Sequence, residues 1–263
     1  MMRRRCRELP ERRLSKMNEP FPDGWDRSAA AWLAEVGEDG DYGRKYVLNA
    51  PMRERIQGRG FKTALDVGCG EGRFCRMMQA NGIETVGIDP TESLLKRARQ
   101  LDPTGDYRTG RAETMDGATG SFDLVVSYLT LIDIPELATA VAKMVKAIKP
   151  GGTFLLANLN SFNTARIASG WTRNDAGKFR FCIDHYMDER AEWVGWSGIL
   201  IQNWHRPLST YMSLFLQNGL VLRHFAEPMP SGGDAKKAER YRRVPWFHIM
   251  EWQKPVDGPI GVA

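Results

Sequence analysis

Cysteine is scarce: Cys6, Cys69, Cys75 and Cys182 are the only four in 263 residues, and no two form a CxxC pair. That excludes a zinc ribbon or a disulfide framework and points to a reducing cytoplasm. No run of about 18 apolar residues occurs, so no transmembrane helix is expected. Internal repeats and low-complexity tracts are absent too. A basic surplus is missing from most of the chain. The whole sequence has a net charge of +5, but residues 1–16 hold seven basic residues against Glu8 and Glu11, which accounts for all of it. A nucleic-acid-binding domain would carry its surplus on its folded surface, so no nucleic-acid partner and no membrane partner are expected.

The basic segment lacks the apolar core of a secretory signal; it is Arg-rich like a transit peptide, but its one serine and two acids weaken that reading. Met17 begins a plausible shorter protein. Residues 1–24 are therefore expected to be a solvated extension, with one domain over 25–263.

Hydrophobic residues make up 42% and charged residues 26% of the chain, enough to bury a core in a single large domain. Residues 27–36 and 42–58 read as helices, the second interrupted at Pro51. Short β-like runs then alternate with helices: Thr63–Val67, a helix to Ala80, Thr85–Asp89, a helix to Leu101, Asp106–Arg111, Phe122–Tyr128, a helix over 135–149 and Gly152–Leu159. Such alternation predicts a parallel sheet covered on both faces. In the 135–149 helix, Leu137, Val141, Met144, Val145 and Ile148 share one face. Pro135 suits the first turn, Lys146 and Lys149 suit the last, and Pro150-Gly151-Gly152 ends it. Residues 160–205 break the pattern and read as an inserted lid, with Phe179–Tyr186 and Trp193–Trp204 as strands of an antiparallel hairpin. A helix over 206–218 follows. Leu220–Ala226 and Trp246–Gln253 read as closing strands joined by a polar loop.

The sharpest local signal is Leu65-Asp66-Val67-Gly68-Cys69-Gly70-Glu71-Gly72-Arg73, a strand running through glycines into a helix. Glycine allows a tight turn and close approach to a ligand. A dinucleotide fold would need GxGxxG. Here the spacing is GxGxG, and Arg73 holds the place of the third glycine. Asp66 would repel a pyrophosphate but can accept a hydrogen bond from an ammonium group. The next strand ends at Asp89, 19 residues after Gly70, where a carboxylate can take both hydroxyls of a ribose.

In the order LDVGCGEG, GIDP, GRAE, FDLVVSYLTLID and IKPGGTFLLANLN, residues 60–160 resemble the class I S-adenosylmethionine-dependent methyltransferases, of the bacterial small-molecule type. The resemblance implies an α/β Rossmann-like fold: a seven-stranded, mostly parallel sheet with an antiparallel last strand, N-terminal helices and the lid. It implies S-adenosylmethionine as cofactor, with Gly68, Cys69 and Gly70 under the methionine part and Asp66 near its amino group. Arg44 would meet the cofactor carboxylate. Asp89, followed by Pro90, would hold the ribose, and Ala112 and Glu113 would flank the adenine. Ser127 and Tyr128, ending the fourth strand, would face the sulfonium and the acceptor. Cys69 reads as a small loop residue and not as a nucleophile.

Acceptor classes leave motifs. The Asn/Asp-Pro-Pro-aromatic tetrad of nucleic-acid amino methylation is replaced by Ser127-Tyr128-Leu129-Thr130. No cysteine follows a proline, as cytosine-C5 chemistry requires. Asp133 is the only acid near that strand end, too few for a magnesium site. Four of the eight tryptophans, Trp171, Trp193, Trp196 and Trp204, lie in the lid, which suits a wall around an apolar or aromatic small-molecule acceptor. A hydroxyl acceptor needs a base. His205-Arg206-Pro207 resembles the start of the post-lid helix in the small-molecule enzymes, so His205 is the expected catalytic base, with His185 second. His224 and His248 read as structural. The rival readings are a protein or tRNA methyltransferase and a non-catalytic cofactor-binding protein of the same fold.

Overall fold

A computed structural model describes residues 23–116 and 119–256. The basic extension as far as residue 22, Cys6 included, lies outside the described residues. Helix α1 spans Trp25–Val36, starting after Gly24 in the left-handed region at φ 85°. Five strands are mutually parallel: β1 (Thr63–Val67), β2 (Glu84–Asp89), β3 (Asp106–Thr109), β4 (Phe122–Tyr128) and β5 (Ile148–Leu159). After the lid come two more strands of this sheet, β10 (Val221–Ala226) and β11 (Phe247–Gln253), giving the order β10-β11-β5-β4-β1-β2-β3. β11 alone runs antiparallel to the other six strands. The fold is therefore the expected one. Strand order reverses between β1 and β4, and a parallel sheet opens its crevice at the carboxyl ends of such a pair.

Alternation along the strands divides the core. On β4, Leu124, Val126 and Tyr128 face a cluster with Leu48, Met52, Phe74 and Met78. Val125 faces the opposite cluster, where α5 (Leu137–Ala147) lays Val141, Met144 and Val145 against Phe154, Phe215 and Trp252. Leu124 and Phe154 are fully buried, and truncating such a side chain costs about 2–5 kcal/mol. Among the described residues no helix is long and apolar enough to cross a membrane.

Several local expectations are corrected. The second helix is not broken at Pro51. Arg44–Leu48 forms a π-helix and α2 continues through Asn49–Glu54. Pro51 has no N–H for the Val47 carbonyl, and the wider turn before it absorbs that loss. Helix α5 is shorter than 135–149. Pro135 precedes its N-cap Glu136, and Ile148, at ψ 133°, already starts β5. Lys149 therefore lies in a strand, where its Nζ donates to Asp123 at 2.8 Å. Asp123 also accepts from the amides of Lys62 and Thr63 and so ties down the start of β1.

The loop between the closing strands contains helix α8 (Ala235–Arg243), begun by Asp234, whose carboxylate accepts from the Lys237 amide. The lid holds two hairpins where one was expected. β6 (Arg166–Arg173) pairs with β7 (Phe179–Ile183), and β8 (Arg190–Trp196) pairs with β9 (Ile199–His205). Helix α7 (Leu208–Gln217) follows.

Candidate cofactor and acceptor cavities

The glycine turn stands at the switch point. Gly68 has φ 76°, and its amide and that of Cys69 both donate to the Ile88 carbonyl, at 2.8 and 3.0 Å. A Cβ on Gly68 would lie 2.1 Å from Thr130 Cγ2, so the turn admits no side chain there. Gly72, also left-handed, leads into α3 (Arg73–Gln79).

A cavity opens above this turn. Arg44, Asp66, Gly68, Cys69, Gly70, Asp89, Pro90, Ala112, Glu113 and Tyr128 all line it. Ser127 does not: it is fully buried on the opposite face of β4 from Tyr128, as strand alternation requires. The expectation that Ser127 faces the acceptor is thus corrected.

Asp66 is buried. Its Oδ2 accepts from the Cys75 thiol at 3.3 Å, while Oδ1 has no partner. Burial, aided by the charges of Asp89 and Glu71, raises this carboxyl to about 7 despite the thiol hydrogen bond. An unpaired buried carboxylate oxygen is costly unless a donor arrives. Asp89 is likewise buried and raised by that burial, although Oδ2 accepts from the Gly70 amide at 2.9 Å and Oδ1 from the Thr91 amide at 2.8 Å. The Thr91 side chain bonds this carboxylate as well, which still has accepting capacity to spare. The Cys69 thiol is raised: a hydrogen bond with Cys75 works the other way, but burial and the carboxylates outweigh it. A thiol kept protonated is not a nucleophile.

Two guanidinium groups share the cavity. Arg44, from the π-helix, donates to Asp41 at 2.7 Å and lies over the rings of Trp32 and Tyr128, at 5.4 and 5.9 Å. Arg73 grips Asn49 Oδ1 with both terminal nitrogens, at 3.1 and 2.7 Å, while its buried Nε has no partner. Asn49 also accepts from the Tyr128 hydroxyl. Asp23, paired with Arg111 at 3.1 Å, lines the same cavity as Ala112 and Glu113.

A second cavity of about 770 Å³ lies under the lid. It shares Trp25, Trp32, Val36, Arg44, Leu129 and Asp133 with the first, so the two meet at those residues. Leu129 is held there at φ 61°, a conformation that costs a branched side chain energy. Asp133 accepts from Asn203 of β9, and burial pushes its carboxyl well up.

Two of the four lid tryptophans, Trp171 and Trp196, line this chamber. Trp193 lies outside, beside Gly24, and Trp204 stacks on Arg206 at 4.7 Å. His205 is corrected as well. It is buried and lines neither cavity. Its Nε2 donates to the Tyr186 carbonyl at 2.9 Å, and its Nδ1 pairs with the Thr164 hydroxyl at 2.7 Å. With both nitrogens engaged it ties the lid base together and has no free lone pair for an acceptor. His185 is exposed and bonded to Asp188.

Sequence reasoning missed Asp23, Trp25, Trp32, Arg111 and Asp133 as cavity residues and gave Arg73 no role. Trp25 and Trp32 had a readable signal: seven residues apart on a helix, they share a face.

A sheet of this order with a glycine turn at its switch point defines the class I S-adenosylmethionine-dependent methyltransferase fold. In sequence, residues 65–156 match the methyltransferase domain family. The malonyl-[acyl-carrier protein] O-methyltransferase of Enterobacter lignolyticus is 29% identical over 124 residues, 47% of this chain and 49% of that protein. The ubiquinone biosynthesis O-methyltransferase of Methylococcus capsulatus is 33% identical over 130 residues, 46% of this chain and 55% of that protein. The chain thus spans about half the length of the curated relatives it matches. An S-adenosylmethionine dependent methyltransferase from Mesorhizobium loti superimposes with a TM-score of 0.68 at 24% identity, over 82% of this chain and all of that one. That likeness speaks for the fold.

Proposed function

We propose that this protein transfers the methyl group of S-adenosylmethionine to an oxygen of a small, apolar or aromatic molecule held under the lid. The observation that carries the reading is Asp66 Oδ1, buried and unpartnered in a cavity that also holds Arg44 and Arg73. A lone carboxylate oxygen suits an ammonium group and the two guanidiniums suit a carboxylate, so one cavity fits both ends of an amino acid. Asp89 has lone pairs left for the ribose hydroxyls, and Ala112 and Glu113 would lie along the adenine.

When bound, the cofactor supplies a methyl group already activated on a sulfonium. The chain's part is then positioning and the exclusion of water. Trp25, Trp32 and Leu129, common to both cavities, would form the passage between cofactor and acceptor. Asp133 is the titratable acid at that passage. Burial raises its carboxyl, so in its ionised form it is a stronger base than an ordinary aspartate, and in that form it would take the place first assigned to His205 as the group to receive a hydroxyl proton. An oxygen acceptor is favoured because the curated relatives named above are O-methyltransferases.

Isothermal titration with S-adenosylhomocysteine tests the cofactor half of this reading. Binding is expected, and Asp89→Ala should weaken it by roughly 1.5–3 kcal/mol for lost charged hydrogen bonds. Binding of NADH in its place would overturn the assignment. For the base, Asp133→Asn should lower kcat by about 10²–10⁴ while leaving S-adenosylhomocysteine affinity within a few fold.

A further inference from the structure

The lid chamber has a charge pattern that the cofactor does not use. Arg166, half-buried at the start of β6, lines it, as do Lys236, Lys237 and Arg240 of α8. None of these four lines the cofactor cavity. Arg166 spends Nη1 on the Asn163 carbonyl at 2.9 Å and on the Asn163 side chain; the charge of Glu192, itself paired with Arg190, reaches it, but among the described residues no carboxylate forms an ion pair with it. Lys237 lies over the Tyr42 ring at 4.6 Å, and Lys236 and Arg240 have no acidic partner among the described residues.

The acids of the chamber are mostly committed elsewhere. Asp41 pairs with Arg44 and also feels the charge of Lys237, Asp234 caps α8, and Asp133 is held by Asn203 at the passage. Glu35 remains, exposed on α1. The rings of Trp171, Phe179 and Trp196 line the same chamber and supply an apolar wall beside the cations. Desolvating an unpaired guanidinium costs free energy that an anionic ligand group would offset.

We infer that the acceptor is an organic acid: an apolar or aromatic body with a carboxylate, sulfonate or phosphate anchored by Arg166, Lys236, Lys237 and Arg240, remote from the atom that is methylated. The inference rests on the methyltransferase reading and deepens it. Because the anchoring cations do not reach the cofactor cavity, the anion serves as a handle and the nucleophile is a separate group at the Asp133 end.

Two fluorescent probes that differ by one anion test this: 8-anilinonaphthalene-1-sulfonate and the uncharged N-phenyl-1-naphthylamine. Both are titrated into the full chain saturated with S-adenosylhomocysteine. The sulfonate should bind at least about tenfold tighter than the neutral probe. Arg166→Gln should weaken the sulfonate by about tenfold and leave the neutral probe within twofold. Since Arg166 also bonds Asn163, the exposed pair Lys236→Gln with Arg240→Gln provides a variant free of packing effects, with a loss of about threefold expected for the sulfonate only. Equal binding of the two probes, or equal losses for both in either variant, would overturn the inference while S-adenosylhomocysteine binding still upheld the methyltransferase reading. Failure of S-adenosylhomocysteine to bind would remove both.

Discussion

With the cofactor amino group placed on Asp66 as proposed, binding would be coupled to protons. The Asp66 carboxyl is raised to about 7 by burial and by the neighbouring charges of Asp89 and Glu71. An ammonium group brought to Oδ1 needs the ionised form. Below pH 7 the carboxyl is mostly protonated and must release its proton on binding, so affinity falls as pH falls; above pH 7 it levels off. At pH 6, one unit below, about nine-tenths of the molecules carry the proton, and the cost is about 1.4 kcal/mol, or tenfold in Kd. Titration of S-adenosylhomocysteine at pH 6 in two buffers of different ionisation enthalpy should therefore show release of about 0.9 proton. Near pH 7.5 the figure should fall to about 0.2 proton. Asp66→Asn should abolish the release and weaken binding at pH 7.5 by about 1.5–3 kcal/mol. Wild-type binding with no proton release, or an unchanged release in the Asn variant, would refute the placement of the amino group on Asp66.

Other outcomes follow from the same geometry. Gly68→Ala forces a Cβ into Thr130 at a left-handed φ, so it should destabilise by about 2–5 kcal/mol in thermal or urea unfolding, with partial rescue by Thr130→Ala. His205→Ala strips the Tyr186 carbonyl and the Thr164 hydroxyl of a partner. It should cost about 1–3 kcal/mol of stability and leave S-adenosylhomocysteine affinity within twofold; a large loss of kcat in a folded variant would restore His205 as a base. Burial alone would raise Asp123, but Lys149 and the Lys62 and Thr63 amides outweigh it and hold it at about 2. Its stabilising effect is thus present above the usual aspartate value and lost as pH falls through about 2, and Asp123→Asn should flatten that part of an acid-unfolding curve.

The central strands were legible because their residues answer to local rules. β1 and β4 have the bounds read from apolar runs, and the glycine turn declared itself by spacing. Of the residues expected to hold the cofactor, all but Ser127 line one cavity, and Ser127 does not because the strand parity that places Tyr128 inward sends its neighbour away. Helix α8 was hidden because only Ala238 and Tyr241 of its nine residues are buried, too thin a stripe to show helical period. The β8–β9 hairpin did carry a signal. Ser197-Gly198, at φ 46° and 82°, is the two-residue turn with both residues left-handed. The role of His205 was not legible, since its partners Thr164 and Tyr186 are 41 and 19 residues away and only the folded lid brings them to the ring. Asp133 was visible as an acid after β4, but its place between two cavities depends on the lid and α1 together.

A crystal structure of the full chain with S-adenosylhomocysteine tests the central claim most directly. The account predicts the amino group within hydrogen-bond distance of Asp66 Oδ1, the ribose hydroxyls on Asp89, and the sulfur at the passage formed by Trp25, Trp32, Leu129 and Asp133, open to the lid chamber. A ligand bound with Asp66 Oδ1 still unpaired, or with its sulfur walled off from that chamber, would contradict it.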